Sequence, residues 1–491
     1  MTPPKSPAPH PRLTTGIPEM DVVLDGGLMR GGSYVVAGAP GAGKTILGNQ
    51  LCFHHVAQGH QALFVTLLSE SHGRMLSHLL RMRFFDPRVI SRSLHYVSGY
   101  PVLRKDSLKG VLTLVAKLIK KHRATLLVID GMARLSAFAS SHTDFKQFIH
   151  ELTVLLEFTG CTAVMLTDST ADDIGYPART MVDGLFELRD RLEGVRSVRE
   201  LVVTKFRGGP FLRGMHFFEI DDDGIRLYPR LEARLAKPSR ELVVSKERMG
   251  TGLPGLDRMT GGGLSAGTTS LVLGASGTGK TMLGLHFLAQ GFARKEPSLY
   301  FGFFEAPARL LGKGDALGLQ LTAHEGNGFE VIWQPAGELI MDALAERLLE
   351  HVQKRQVKRL VIDGLAGFEE LLSRPDRLSH FFKALTNELR GLGVTTLVTG
   401  ETREYIEPQI HLPLRGLPGV VAENIILLRQ LEIDSELRRA IAVIKTRETA
   451  HDQQVRDLTI GDRGLEIGER FGARPPPAPG GREKRGKGQA P

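Results

Sequence analysis

Cysteine is nearly missing from this 491-residue chain, which has two, Cys52 and Cys161, both inside apolar runs (QLCFHH and TGCTAVML). Two thiols build neither a disulfide framework nor a four-cysteine zinc site, so a reducing compartment is expected. Aromatic residues are scarce at 6%, with Trp333 the sole tryptophan. They are not interleaved with basic runs, which argues against a stacking platform for single-stranded nucleic acid. No apolar run approaches the roughly 18 residues of a membrane helix, and the opening MTPPKSPAPHPR has no apolar leader core. The expectation is a cytoplasmic protein with no membrane span and no secretory signal.

Charge of one sign is in excess, at +9, but it is concentrated at the ends. Residues 473–491 carry +4 and residues 1–12 carry +2, which leaves about +3 on the body. Nucleic acid is therefore not expected as the main partner. The 17 histidines show no H-E-x-x-H and no His/Cys cluster with zinc spacing. His54, His55 and His72 read as surface or packing residues. The segment after Gly472, rich in Pro, Gly and Lys, cannot bury enough apolar area to fold and reads as a disordered tail.

The sequence is written twice. GIPEMDVVLDGGLMRGGSYVVAGAPGAGKT (16–45) matches GLPGLDRMTGGGLSAGTTSLVLGASGTGKT (252–281) nearly position for position. Lys44 maps to Lys280, Asp130 to Asp363 and Lys205 to Lys445, at separations of 236, 233 and 240 residues. Landmarks that keep their order and spacing over the body mark a tandem duplication of one large domain rather than a solenoid of short units. The expected organisation is a tail at 1–12, a first domain at 13–232, a linker at 233–247, a second domain at 248–472 and a tail at 473–491.

Each copy alternates short β-branched runs with helical stretches. SYVVAG, ALFVTLL, TLLVID and TAVMLT read as strands buried on both faces, and Thr45 to Gln58 reads as a helix stopped by Gly59. The predicted fold class is α/β: two tandem P-loop nucleotide-binding domains, each a mostly parallel sheet with helices on both faces.

Gly38, Ala39, Pro40, Gly41, Ala42, Gly43, Lys44 and Thr45 fit the pattern G-x-x-x-x-G-K-S/T, as do Gly274, Ala275, Ser276, Gly277, Thr278, Gly279, Lys280 and Thr281. Glycines let the backbone wrap so that its N–H groups point at phosphate oxygens. The following helix N-terminus favours anions, the lysine reaches the β/γ-phosphates, and the threonine hydroxyl ligates Mg²⁺. Asp130 and Asp363 end apolar strands, where a Mg²⁺ shell needs a carboxylate; the other reading is a strand-ending Asp at a turn. ATP and Mg²⁺ are the expected ligands, with Thr45, Asp130, Thr281 and Asp363 at the metal.

Hydrolysis also needs a group that orients water opposite the leaving group. Glu70 and Glu305, 26 and 25 residues after their P-loop lysines, are the candidates. Otherwise they are surface turn carboxylates. Lys205 with Arg207, and Lys445 with Arg447, lie late in each copy on predicted strands. Alternate residues share one strand face, so each pair presents two cations together. In a ring such a pair could reach a neighbour's γ-phosphate; otherwise it is a solvated edge-strand pair.

With these residues in hand, the chain resembles the KaiC family of RecA-type ATPases over roughly residues 13–471. The resemblance rests on the paired G-I/L-P-x-M/L-D…GGL lead-ins, both P-loops, both strand-end aspartates, both K-x-R pairs and NIILLRQLEIDSELRRAIAVIKTRETAHD (424–452). It implies a two-tier homohexamer with ATP between subunits, and it implies that Lys205/Arg207 and Lys445/Arg447 act in trans. Three departures stand out. The family's adjacent glutamates are reduced to Ser69-Glu70 and Phe304-Glu305. The positions of its phosphorylated Ser-Thr pair are Gly419 and Val420, without hydroxyls, which argues against a clock-type phosphorylation cycle there. His451 closes the second K-x-R segment, whereas the first has Phe211.

The leading expectation is a slow ATPase acting as a nucleotide-driven hexameric switch, with a signalling protein as a possible partner. The alternatives are a nucleotide-dependent scaffold of weak catalysis, a protein serine/threonine kinase, and a DNA-acting recombinase- or helicase-type ATPase.

Overall fold

The computed structural model describes residues 12–67, 72–168, 178–241, 245–335, 337, 340–371, 376–402, 421–433, 435–447, 450–462 and 464–471. The chain divides into two compact units, Met1–Ala236 with Asp342–Leu344, and Lys237–Met341 with Ala345–Pro491.

The first unit is built on nine strands: β1 (Ser33–Gly38), β2 (Ala62–Thr66), β3 (Leu94–Ser98), β4 (Leu126–Asp130), β5 (Thr162–Thr167), β6 (Gly184–Glu193), β7 (Arg196–Phe206), β8 (Met215–Asp221) and β9 (Gly224–Tyr228). They lie in the order β9-β8-β7-β6-β1-β5-β4-β2-β3. The run from β6 to β3 is parallel. From β6 outward to β9 the pairing turns antiparallel. The second unit repeats the plan with β10 (Thr269–Gly274), β11 (Ser298–Gly302), β12 (Phe329–Trp333), β13 (Arg359–Asp363), β14 (Thr395–Glu401), β15 (Asn424–Ile433), β16 (Glu436–Lys445), β17 (Arg456–Gly461) and β18 (Gly464–Arg470). Its order is β18-β17-β16-β15-β10-β14-β13-β11-β12.

The strands read as unbroken apolar runs because both faces of the sheet are covered. Tyr34, Val36, Phe64 and Val128 pack into one core cluster. Their neighbours Val35, Leu63, Val65, Leu127 and Ile129 pack into another. Strand alternation thus sends successive residues into two cores on opposite sides. The P-loop helices, α1 (Lys44–Ala57) and α2 (Lys280–Phe292), lie on one face. Gly48 and Gly284 let them come close, since a Cβ there would stand 3.0 Å from Val128 and Val361 respectively.

The sheet thus has the mostly parallel character expected, and the P-loop helix starts one residue earlier, at Lys44, than the sequence suggests. The late strands expected to carry Lys205 and Lys445 are β7 and β16, while the short edge strands β3 and β12 and the outer antiparallel strands β8, β9, β17 and β18 are additional. Part of the stretch read as a linker is anchored to the second unit. Ser239 donates from its N to Glu388 Oε2 at 2.7 Å and from its Oγ to Glu388 Oε1. Among the described residues no helix is long and apolar enough to cross a membrane.

Candidate functional site

β1 and β10 sit where chain direction across the sheet branches, β1 being parallel to both β5 and β6 and β10 to both β14 and β15. The crevice beyond the carboxyl ends of strands at such a point is where open α/β sheets bind ligands. Both glycine-rich loops leave there and run straight into a helix. Gly43 and Gly279, with φ of 101° and 105°, occupy the left-handed region at the helix entry that other residues adopt only under strain. The first N–H groups of α1 and α2 have no intrahelical acceptor and face the loop.

The P-loop amines are held inside their own loops. Lys44 Nζ donates to Gly38 O and Ala39 O at 2.7 and 2.9 Å. Lys280 Nζ donates to Gly274 O and Ala275 O, both at 2.8 Å. Burial lowers the Lys280 pKa, while the nearby Glu401 and Asp363 charges oppose that shift. Lys44 also pairs with Asp168 at 2.8 Å.

Thr45 Oγ1 lies 3.1 Å from Asp130 Oδ2, and Thr281 Oγ1 lies 2.8 Å from Asp363 Oδ2. Each copy therefore brings a helix-entry hydroxyl and a strand-tip carboxylate, 6% and 8% exposed, to one point beside the lysine. These hard oxygen donors suit Mg²⁺, which is commonly held by one or two protein groups plus phosphate and water.

The two copies differ around the aspartate. Tyr300 donates to Asp363 Oδ2 at 2.5 Å, and Thr399 Oγ1 donates to Asp363 Oδ1. Strand registers place Phe64 and Leu166 at the corresponding positions beside Asp130. Neither carries a hydroxyl. Burial, then the Asp363 charge, pushes the Tyr300 phenol well above its ordinary pKa, so it remains a donor.

Glu305 lies three residues past the end of β11. Its Oε1 accepts from Lys313 Nζ at 2.5 Å, and its Oε2 is buried without a partner. Glu70 lies outside the described residues. Counted from Thr66 and Gly302, which pair with the two strand-tip aspartates, Glu305 is the third residue on, whereas Ser69 is third in the first copy and Glu70 fourth.

Lys205 and Arg207 both donate to Thr180 O, at 3.0 and 3.4 Å. Lys445 Nζ donates to Ala422 O at 2.9 Å. Burial lowers the pKa of both lysines, and the adjacent Arg207 or Arg447 lowers it further. Through the registers, Lys205 is level with Val35 and Lys445 with Leu271, three residues before each P-loop strand ends. That is about 10 Å back along the strand, and the sheet separation of two strands adds to it. Neither pair meets the P-loop of its own copy. In the second copy, Thr446 Oγ1 bonds His451 Nδ1 at 3.0 Å. In the first copy, Phe211 packs edge-on against Phe206 instead. Gly419 and Val420 lie outside the described residues.

Sequence reasoning missed Asp168, Glu401, Tyr300, Thr399 and Lys313. Asp168 and Glu401 had a legible signal: like Asp130, each is an acid at the tip of an apolar run. The others had none, because their roles depend on which strands are neighbours.

A family model described as the KaiC ATPase matches residues 13–232 and 249–471. The circadian clock oscillator protein KaiC of Picosynechococcus is 26% identical over 475 residues, covering 94% of this chain and 90% of that protein. Its namesake from Synechococcus elongatus is 26% identical over 488 residues, 96% of this chain and 92% of that one. The circadian clock protein KaiC3 of Synechocystis is 25% identical over 480 residues, covering 94% and 92%. With two RecA-like domains and two P-loops joined to strand-tip aspartates, the chain belongs to the KaiC ATPase family.

Proposed function

We propose that the chain binds ATP with Mg²⁺ at both P-loops and hydrolyses it slowly, as a cytoplasmic homohexameric switch that signals to a protein partner. The observation that carries this reading is the Lys–Thr–Asp constellation built twice. Domain boundaries follow the duplication: 13–232 and 248–472, joined by 233–247.

In this reading Gly38 to Thr45 and Gly274 to Thr281 wrap the phosphates. Lys44 and Lys280 exchange their loop carbonyl contacts for β/γ-phosphate oxygens. Thr45 with Asp130, and Thr281 with Asp363, hold Mg²⁺. The bound metal supplies charge neutralisation at the phosphates. Glu305, and Glu70 in the first copy, orient the attacking water. Lys205/Arg207 and Lys445/Arg447, remote from the P-loops of their own copies, serve a neighbouring subunit. The family's clock-type phosphorylation is not part of the proposal, since Gly419 and Val420 have no hydroxyl.

Phosphate release from ATP by the wild type, beside a Glu70→Gln/Glu305→Gln double variant, tests this. Turnover that collapses in the variant supports the ATPase. ATP binding without turnover in either favours a second reading, a nucleotide-dependent scaffold. The Lys313 ion pair on Glu305 gives that reading its footing.

A further inference from the structure

The carboxylate proposed to orient water in the second copy is not free. β11 ends at Gly302, and a helix starts at Pro307 and runs to Ala316. Glu305 stands two residues before that helix, near its N-terminal dipole, which favours an anion. Lys313, on the helix, reaches back to Glu305 Oε1 at 2.5 Å. The pair is partly exposed, the side chains being 36% and 22% exposed for Lys313 and Glu305. Oε2 is buried without a hydrogen-bond partner.

The first copy's candidate acid is Glu70, which lies outside the described residues. Eight residues after its glutamate, the first copy has His78 where the second has Lys313.

We propose that Lys313 is a positioning residue that restrains hydrolysis at the second site by holding Glu305 in an ion pair. An oxygen committed to an ammonium does not accept a proton from water, and a carboxylate anchored at one oxygen cannot turn to follow the nucleophile. Slow turnover at this site is then a built property of the chain. Any contact that draws Lys313 away from Glu305 raises the rate, so the helix Pro307–Ala316 is a point of control. This inference rests on the ATPase reading above.

The test is steady-state phosphate release from MgATP by the full chain, comparing wild type, Lys313→Met, Lys313→Arg, Glu305→Gln and the Lys313→Met/Glu305→Gln double variant. A partly exposed ion pair is worth up to a factor of about five. Lys313→Met is expected to raise kcat about two- to fivefold with KM unchanged. Lys313→Arg keeps the wild-type rate, and the double variant is no faster than Glu305→Gln. An unchanged or lower kcat in Lys313→Met overturns the proposal, as does a rise that survives in the double variant. If every chain binds ATP and none releases phosphate, the ATPase reading itself falls and the restraint falls with it. A silent wild type beside an active Lys313→Met chain supports both.

Discussion

Replacing Tyr300 with Phe removes one oxygen atom and tests whether the second unit depends on its aspartate cage. Tyr300 is 1% exposed, and its hydroxyl donates to Asp363 Oδ2. The first unit already carries a phenylalanine, Phe64, at the matching strand position, fully buried. The ring therefore suits this architecture, and the substitution isolates the hydrogen bond. A hydrogen bond to a charged acceptor contributes about 1.5–3 kcal/mol. With a urea slope of about 2 kcal/mol per molar, the unfolding midpoint falls by about 1 M. Trp333, the sole tryptophan, sits in the second unit and donates to Phe303 O at 3.1 Å, so its fluorescence reports that unit. MgATP narrows the gap, because a metal at Asp363 takes over the freed lone pair. A midpoint within about 0.3 M of wild type at unchanged slope refutes the reasoning.

Three further outcomes follow from the same geometry. His55 is 1% exposed, its Nε2 is 2.8 Å from Thr125 Oγ1, and burial lowers its pKa to about 4. The unfolded ring takes protons near pH 6.5, so stability present above that value is lost as pH falls towards 4, by up to about 3 kcal/mol. Hydrogen exchange of α1 measures this, and an unchanged protection between pH 7 and 4.5 counts against it. Arg207→Ala slows hydrolysis more than it weakens ATP binding, and equal losses would remove the finger role. Mixing Lys44→Ala/Lys280→Ala chains with Arg207→Ala/Arg447→Ala chains restores part of the turnover when the cations act on a neighbour; no recovery refutes action in trans.

Much of this was legible because the decisive signals are local. A P-loop is eight consecutive residues with a backbone requirement, and SYVVAG or TLLVID declares a doubly covered strand by composition alone. The strand-tip aspartates follow from those runs. What escaped depends on neighbours brought together by folding. Tyr300 and Thr399 converge on Asp363 only because β11 and β14 flank β13. Lys313 meets Glu305 through a turn of irregular backbone. The edge strand LHYVS is short and half-buried, so its pattern is weak.

The central claim is that each copy holds one nucleotide through its own P-loop. Equilibrium binding of labelled ATP with Mg²⁺ measures it directly. The account predicts two ATP per chain in the wild type, one in Lys44→Ala, one in Lys280→Ala and none in the double variant. A double variant that still binds two ATP per chain contradicts it.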